Sequence, residues 1–449
     1  MATIAHKASI LYYLFYHWVR YIFDKLYQGR VYRLQTGNIP KEGTPTILVS
    51  NHQNSLLDAF HMLFGTQNSF LHFISRADVF KNKHIAKLLY GLGLIPIYRV
   101  RDGVGKIKDN LQMFDEVERY LHEGGMLAIY PEATHMDGNY LGRFYLSYTR
   151  IAFETAALSD FKQEVFILPA TLYYEDFTAF RADSLITYAE PFSLKPYYEL
   201  YQQEPRLAEE QVNEIIRHKV QSNMLDIRDR EHYDQVMGFI SYTENAYAER
   251  EKDIDMAQLP QALKVRKAIE AKLYAQKESH PEKLEEIYAR TAEFHRLLDK
   301  YRINAEALAK PATTLESLRS LFFYLLFSPL YLLGMLPHIL LFCITPLVMR
   351  KIDDKLMEAS IAICIWIIGI PLFYLVYFLL TGILMNWFTA LVIILLLPSL
   401  GKFAWWFHKH FQQDFQCFRA RLVRERRPKT WAKMERLHKE LRQDLETIC

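Results

Sequence analysis

Apolar residues arrive in three patterns along this chain, and the changes of pattern mark its parts. Between residues 30 and 200, short apolar runs alternate with stretches at helical spacing. The runs at 46–50, 70–75, 94–98, 126–130 and 165–173 predict strands, and 55–64, 83–92, 106–123 and 146–159 predict helices. Strands that alternate with helices point to an α/β domain over 30–200, a mostly parallel sheet flanked by helices. In such sheets ligands sit in loops beyond the carboxyl ends of strands. His52, Arg99 and Glu132 each follow a predicted strand.

The second pattern is amphipathic. Ile10, Leu11, Leu14, Phe15, Trp18, Tyr21, Ile22 and Leu26 recur at helical spacing, with His17, Arg20, Asp24 and Lys25 between them. This predicts an interfacial amphipathic helix within 1–29, with a helix packed on the globular core as the rival reading. Its polar interruptions and the lack of a small-residue site after it do not fit a cleavable signal. Residues 201–316 are charged and helix-favouring, with amphipathic helices expected at 209–224, 232–251 and 281–301 and breaks at Pro260 and Pro281. They read as a solvated helical hairpin or a partner-binding arm.

The third pattern is continuous. Residues 320–349 hold no Asp, Glu, Lys or Arg, but Pro329, Pro337 and Pro346 interrupt them. Residues 359–401 are also uncharged. At about 20 residues per span, the membrane region over 317–404 is expected to hold a re-entrant hairpin or one span, then two spans turning near 381–386. Arg319, Arg350, Lys351 and Lys402 flank these runs, and a basic tail follows over 405–449. Lys and Arg near membrane ends tend to stay inside, so the α/β domain and the tail are both expected on the cytoplasmic face. Arg419, Arg421, Arg424, Arg426, Arg427 and Lys429 form either a solvated helix face or a seat for anionic lipid head groups.

Composition adds limits to this picture. The chain has 449 residues, enough for two or three domains. Apolar residues make up 51% and aromatic residues 14%, yet 23% are charged, which fits a globular part joined to a spanning part. A net charge of +3 does not point to nucleic acid. The four cysteines are scattered without metal spacing, as expected in a reducing compartment.

Four blocks carry the candidate chemistry. Asn51-His52, with Asp58 six residues on, offers a general base and a carboxylate to fix its tautomer. At ~100° per residue, positions six apart do not share a helix face. His52 must therefore sit in a turn before the helix and fold back toward Asp58. Gly93-Leu94-Ile95-Pro96-Ile97-Tyr98-Arg99 places a guanidinium after a strand, suited to gripping a phosphate. Tyr130-Pro131-Glu132-Ala133-Thr134-His135 places a carboxylate at a strand end. Ile167-Leu168-Pro169-Ala170-Thr171 sets Pro and small residues where a chain can approach a sheet. Ser55 reads as a helix cap, and no Gly-x-Ser-x-Gly elbow surrounds it. His52, His61, His72 and His84 lack a metal spacing with paired carboxylates.

In order and spacing these blocks resemble the glycerolipid acyltransferase superfamily, which contains the lysophosphatidate acyltransferases. The resemblance covers residues 30–200. Two departures exist. Five residues, not four, separate His52 from Asp58, and Pro131-Glu132-Ala133-Thr134-His135 stands where the family usually has Pro-Glu-Gly-Thr-Arg. Both are similar to the branch of fungal-type glycerol-3-phosphate/dihydroxyacetone-phosphate acyltransferases. Tyr173-Tyr174-Glu175-Asp176, Phe180-Arg181 and Tyr188-Ala189-Glu190-Pro191 look like that branch's later stretch.

The resemblance implies a membrane-bound enzyme that moves a fatty acyl group from acyl-CoA or acyl carrier protein to a hydroxyl of glycerol 3-phosphate or dihydroxyacetone phosphate, in phospholipid synthesis. His52 and Asp58 would be catalytic. Arg99, Glu132, Thr134 and His135 would bind substrate, with Arg99 on the acceptor phosphate and Glu132 on a glycerol hydroxyl or on Arg99. His135 replaces the family's Arg, so Arg101 or Arg143 would supply the missing contact. No metal, no cofactor and no covalent acyl-enzyme are expected. Lysophosphatidate or a lyso-aminolipid is the alternative acceptor. A non-catalytic lipid-binding scaffold is the last alternative, against which the intact His52 and Asp58 speak.

Overall fold

The computed structural model describes residues 8–66, 70–97, 104–251, 253–352 and 357–448. The chain packs as two units. One comprises Met1–Asp226 with Asp354–Ile363, and the other comprises Ile227–Asp353 with Cys364–Cys449.

The first unit is built on an eight-stranded sheet: β1 (Val31–Leu34), β2 (Thr46–Ser50), β3 (Leu71–Arg76), β4 (Leu94–Ile97), β5 (Met126–Ile129), β6 (Phe166–Tyr174), β7 (Ser184–Tyr188) and β8 (Phe192–Ser193). The order is β1-β7-β6-β2-β5-β3-β4, with β8 also on β6. The pairings are parallel except that β6 runs antiparallel to β7 and β8. The mostly parallel α/β sheet expected from the alternating runs is therefore present. β2 lies in the middle, and all five of its residues are buried. Such a strand has helices on both faces, hence its unbroken apolar run. Pro169 interrupts β6 where it is tolerated, between the residues paired with β8 (Phe166, Ile167) and those paired with β7 (Ala170–Tyr174).

Around the sheet lie α1 (Ile10–Tyr21), α2 (Leu56–Gly65), α3 (Lys83–Gly91), α4 (Val104–His122), α5 (Ser147–Ala157), α6 (Tyr198–Gln203) and α7 (Pro205–Gln221). α1 starts on Ser9, whose hydroxyl accepts the Tyr12 N–H, and runs into a π-helical stretch, Ile22–Tyr27. Its Tyr12, Tyr16 and Val19 are buried, while Ile10, Leu11 and Leu14 on the other side are exposed, Ile10 to 82%. α7 turns Ala208, Val212, Ile216 and Val220 into one core with Ile47, Leu127, Ile167 and Phe153. That four-residue stripe is why the first unit extends to Asp226.

The second unit is helical: α8 (Tyr233–Ala248), α9 (Leu259–Ser279), α10 (Pro281–Tyr301), α11 (Ala305–Ala309), α12 (Thr314–Met335), α13 (Ile339–Met349), α14 (Glu358–Leu384, within this unit from Cys364), α15 (Trp387–Arg426) and α16 (Pro428–Ile448). Pro260 and Pro281 fall at the first turns of α9 and α10, where a missing N–H costs nothing. Among the described residues, α12, α14 and α15 are long and apolar enough to cross a membrane. α12 and α15 pack antiparallel and close. A Cβ on Gly334 would meet the Leu400 carbonyl oxygen, and fourteen residues back along α12 the Ser320 hydroxyl donates to Asp414, fourteen residues on from Leu400.

Candidate active site

The site forms where β2 and β5 end, beside the carboxyl-terminal half of β6. Asn51 closes β2. Its side-chain amide donates to the Leu172 carbonyl at 3.0 Å and its side-chain oxygen accepts the Leu172 N–H at 2.8 Å. This double bond to the neighbouring strand sets where the next residue, His52, leaves the sheet. The chain then turns sharply, with Ser55 at a positive φ of 44°. Strain of this kind costs about 1–3 kcal/mol and persists only where neighbours enforce it. Here the turn is enforced by Asp58 in the first turn of α2. One carboxylate oxygen of Asp58 accepts from His52 Nδ1, the Gln53 N–H and the Asn54 N–H, each at 2.8 Å. The other accepts the Tyr174 hydroxyl at 2.6 Å. The fold-back demanded by the six-residue spacing is thus made by one fully buried carboxylate.

Ser55 occupies the cap position of α2, but its hydroxyl makes no capping bond, which corrects the expectation for that residue. The Leu56 N–H donates instead to Ser360 Oγ at 2.9 Å.

Glu132 follows β5 and is 3% exposed. One of its oxygens accepts the His52 N–H and the other the Gly142 N–H, both at 2.8 Å. The Met136 N–H donates to the His52 carbonyl at 2.8 Å, so His52 is held at both its backbone groups. Burial pushes the Glu132 carboxyl up to about 7, against the pull of these two donors and with the help of the Asp58 charge. A Cβ on Gly142 would lie 2.5 Å from Glu132 Oε2, so the approach needs glycine. Ala133, where the resembling family has glycine, takes a positive φ of 58°.

The His52 ring lies flat on Tyr130, with centroids 4.0 Å apart and planes at 14°, and meets the His135 ring edge-on at 5.8 Å. The His52 side chain is 17% exposed. With Nδ1 donating to Asp58, Nε2 carries the lone pair that accepts a proton. Burial raises Tyr130 and Tyr174 well above the ordinary tyrosine range, so both remain hydroxyls, and the Tyr174 O–H is a donor to Asp58 at any working pH.

Of the residues singled out from sequence, the fold brings His52, Asp58, Glu132 and His135 together. Thr134 is exposed on the same loop. Arg99 and Arg101 lie outside the described residues. Arg143 is exposed, with its guanidinium over the Tyr145 ring. Tyr174, Tyr130 and Gly142 were not assigned roles from sequence. Tyr130 stands next to Pro131-Glu132 and was within reach of the motif. Tyr174 is 116 residues from Asp58, and only the sheet register connects them. No group of three or more His, Cys, Asp or Glu able to hold a metal occurs among the described residues.

Comparison with known proteins gave matches of two kinds. The family model described as Acyltransferase matches residues 31–173, which include the β2 turn and the Glu132 loop. A solved structure, the 1-acyl-sn-glycerophosphate (LPA) acyltransferase PlsC from Thermotoga maritima, is 19% identical, with 47% of this chain and 79% of that one covered at a TM-score of 0.35. No curated protein matches. The chain carries an acyltransferase domain over residues 31–173, and it is an acyl-transferring enzyme.

Proposed function

We propose that this chain is a membrane-bound O-acyltransferase in which His52 is the general base and Asp58 its partner. The acyl group passes from a thioester, acyl-CoA or acyl-ACP, to a hydroxyl of glycerol 3-phosphate or dihydroxyacetone phosphate. The observation that carries this reading is the 2.8 Å bond between His52 Nδ1 and the buried Asp58 carboxylate, which leaves Nε2 to take a proton.

The steps follow from that arrangement. The acceptor hydroxyl oxygen attacks the thioester carbonyl carbon while its proton moves to His52 Nε2. Asp58 stabilises the imidazolium that forms. The tetrahedral intermediate collapses with cleavage of the C–S bond, and the thiolate recovers the proton from the imidazolium. No enzyme nucleophile is needed. Glu132 acts on this sequence through the His52 backbone, and its remaining lone pairs are the ones a glycerol hydroxyl would use. Arg99 is proposed to hold the acceptor phosphate, with Thr134 and His135 beside it. The helices able to span a membrane would keep this chemistry where acyl chains partition, with the catalytic unit on the cytoplasmic face.

The test is transfer of a labelled acyl group by the purified full chain. Glycerol 3-phosphate, dihydroxyacetone phosphate, lysophosphatidate and a lyso-aminolipid are offered in parallel, each with acyl-CoA and with acyl-ACP. Acylation of one of the first two, lost by at least 100-fold in His52→Ala, is expected. Full activity of His52→Ala removes the base assignment. Preference for lysophosphatidate or the aminolipid reassigns the acceptor. No product from any pair supports a lipid-binding scaffold.

A further inference from the structure

The second unit holds a cavity that the acyl-transfer reading does not use. It opens between the start of α12 and the middle of α15 and has a volume of about 930 Å³. Ligand cavities typically run from roughly 300 to 1,000 Å³. Its floor is aromatic, with Phe323, Trp406, Phe411 and Phe415. Lys310, Arg319 and Arg421 also line it.

The charge balance matters here, because Glu316 and Asp414 line the cavity too. Both carboxylates are already engaged. Glu316 accepts the Thr313 N–H and hydroxyl in the capping box that opens α12. Asp414 accepts the hydroxyls of Ser320 at 2.7 Å and Tyr324 at 2.8 Å. Arg421 pairs with Glu425. The side chains of Lys310 and Arg319 are exposed and have no anionic partner among the described residues. The lining therefore holds three cations against two carboxylates, and Lys310 and Arg319 are the cations that make no salt bridge among the described residues.

Its level along the helices identifies what fits. On α12 the uncharged run begins at Ser320, immediately after Arg319. Leu321, Phe322, Leu325 and Leu326 then stand exposed. On α15 the uncharged run ends at Lys402, and Trp405 and Trp406 follow. Indole rings between an apolar run and a charged one mark the head-group level of a bilayer. A ligand there meets cations on its polar side and aromatic rings on its apolar side.

We propose that this cavity binds an anionic phospholipid from the bilayer, its phosphate between Lys310 and Arg319 and its first acyl methylenes against Phe323, Phe411 and Trp406. The site is independent of acyl transfer and stands if the acceptor assignment above fails.

Native mass spectrometry of the detergent-solubilised full chain tests it, with phosphatidylglycerol and phosphatidylcholine of identical chains added separately. The wild type retains one phosphatidylglycerol at least tenfold better than phosphatidylcholine. Lys310→Gln/Arg319→Gln loses that preference without losing the residual phosphatidylcholine adduct. Phe411→Ala weakens both lipids, and the control Lys439→Gln, exposed on α16, changes neither. Equal retention of the two lipids by the wild type overturns the proposal. So does an unchanged preference in the double variant, or a dimer mass without lipid, which would mean that a second copy covers the groove.

Discussion

Tyr174→Phe isolates the bond between β6 and Asp58 without changing the shape of the core. The ring stays and only the hydroxyl goes, with its 2.6 Å bond to a carboxylate oxygen that has no other donor among the described residues. The second Asp58 oxygen keeps all three of its donors. Hydrogen bonds to charged groups contribute about 1.5–3 kcal/mol. At about 1.4 kcal/mol per tenfold in rate, this sets a ceiling of roughly 10- to 150-fold on the loss in kcat/KM. The loss is expected near the lower end, in kcat rather than KM, because Tyr174 acts through Asp58 and not on substrate. The assay is a double-mutant cycle on kcat/KM with Tyr174→Phe, Asp58→Asn and the pair. If Tyr174 serves only to aim Asp58, its removal does little once Asp58 is Asn, and the pair resembles Asp58→Asn alone. Additive losses would refute the reasoning, since Tyr174 would then act on catalysis by some other route. An unchanged kcat in Tyr174→Phe would show that the Asp58 orientation does not limit the base.

Three further outcomes follow from the same site. Gly142→Ala places a methyl 2.5 Å from Glu132 Oε2 and is expected to displace that carboxylate from the His52 N–H. It should lower kcat about tenfold with a fall in melting temperature, and wild-type values for both would show that the loop simply relaxes. Ala133→Gly relieves a positive φ at an exposed position and should raise stability by about 1 kcal/mol, read as a higher melting temperature at unchanged KM. His61 is buried with neither ring nitrogen hydrogen-bonded to a described residue, and burial pushes it down to about 3 from an ordinary 6.5. The unfolded chain takes up this proton as pH falls through about 6.5 while the folded chain refuses it until about 3, so stability drops progressively across that window. His61→Leu should flatten the acid limb of a melting-temperature profile, and an unchanged limb would assign it to other groups.

The sequence by itself determined the local features. The apolar run 46–50 ends at a polar turn after five residues, too few for a helix, and it is a strand. The six-residue interval between His52 and Asp58 required a fold-back, and the structure supplies one. The long uncharged runs were legible because a bilayer-length helix needs only local composition to be recognised. β1 and β7 were not legible. Val31–Leu34 is half-buried throughout, and Ser184 and Thr187 interrupt the apolar residues of Ser184–Tyr188, so neither shows the clean alternation or apolar run that marks a strand. The stripe on α7 read as amphipathic, but the surface it covers is a tertiary fact.

The same division holds within the site. The motif names His52, Asp58 and Glu132 as a set. That Glu132 grips the His52 N–H, that Tyr174 completes the shell of Asp58, and that Gly142 must lack a side chain depend on the register of β6 against β2 and on a loop crossing after β5. The first two contacts join residues 80 and 116 positions apart. Helix and strand preferences act over a few residues and cannot encode such distances; burial of the whole sheet does, by bringing β2, β5 and β6 into one register.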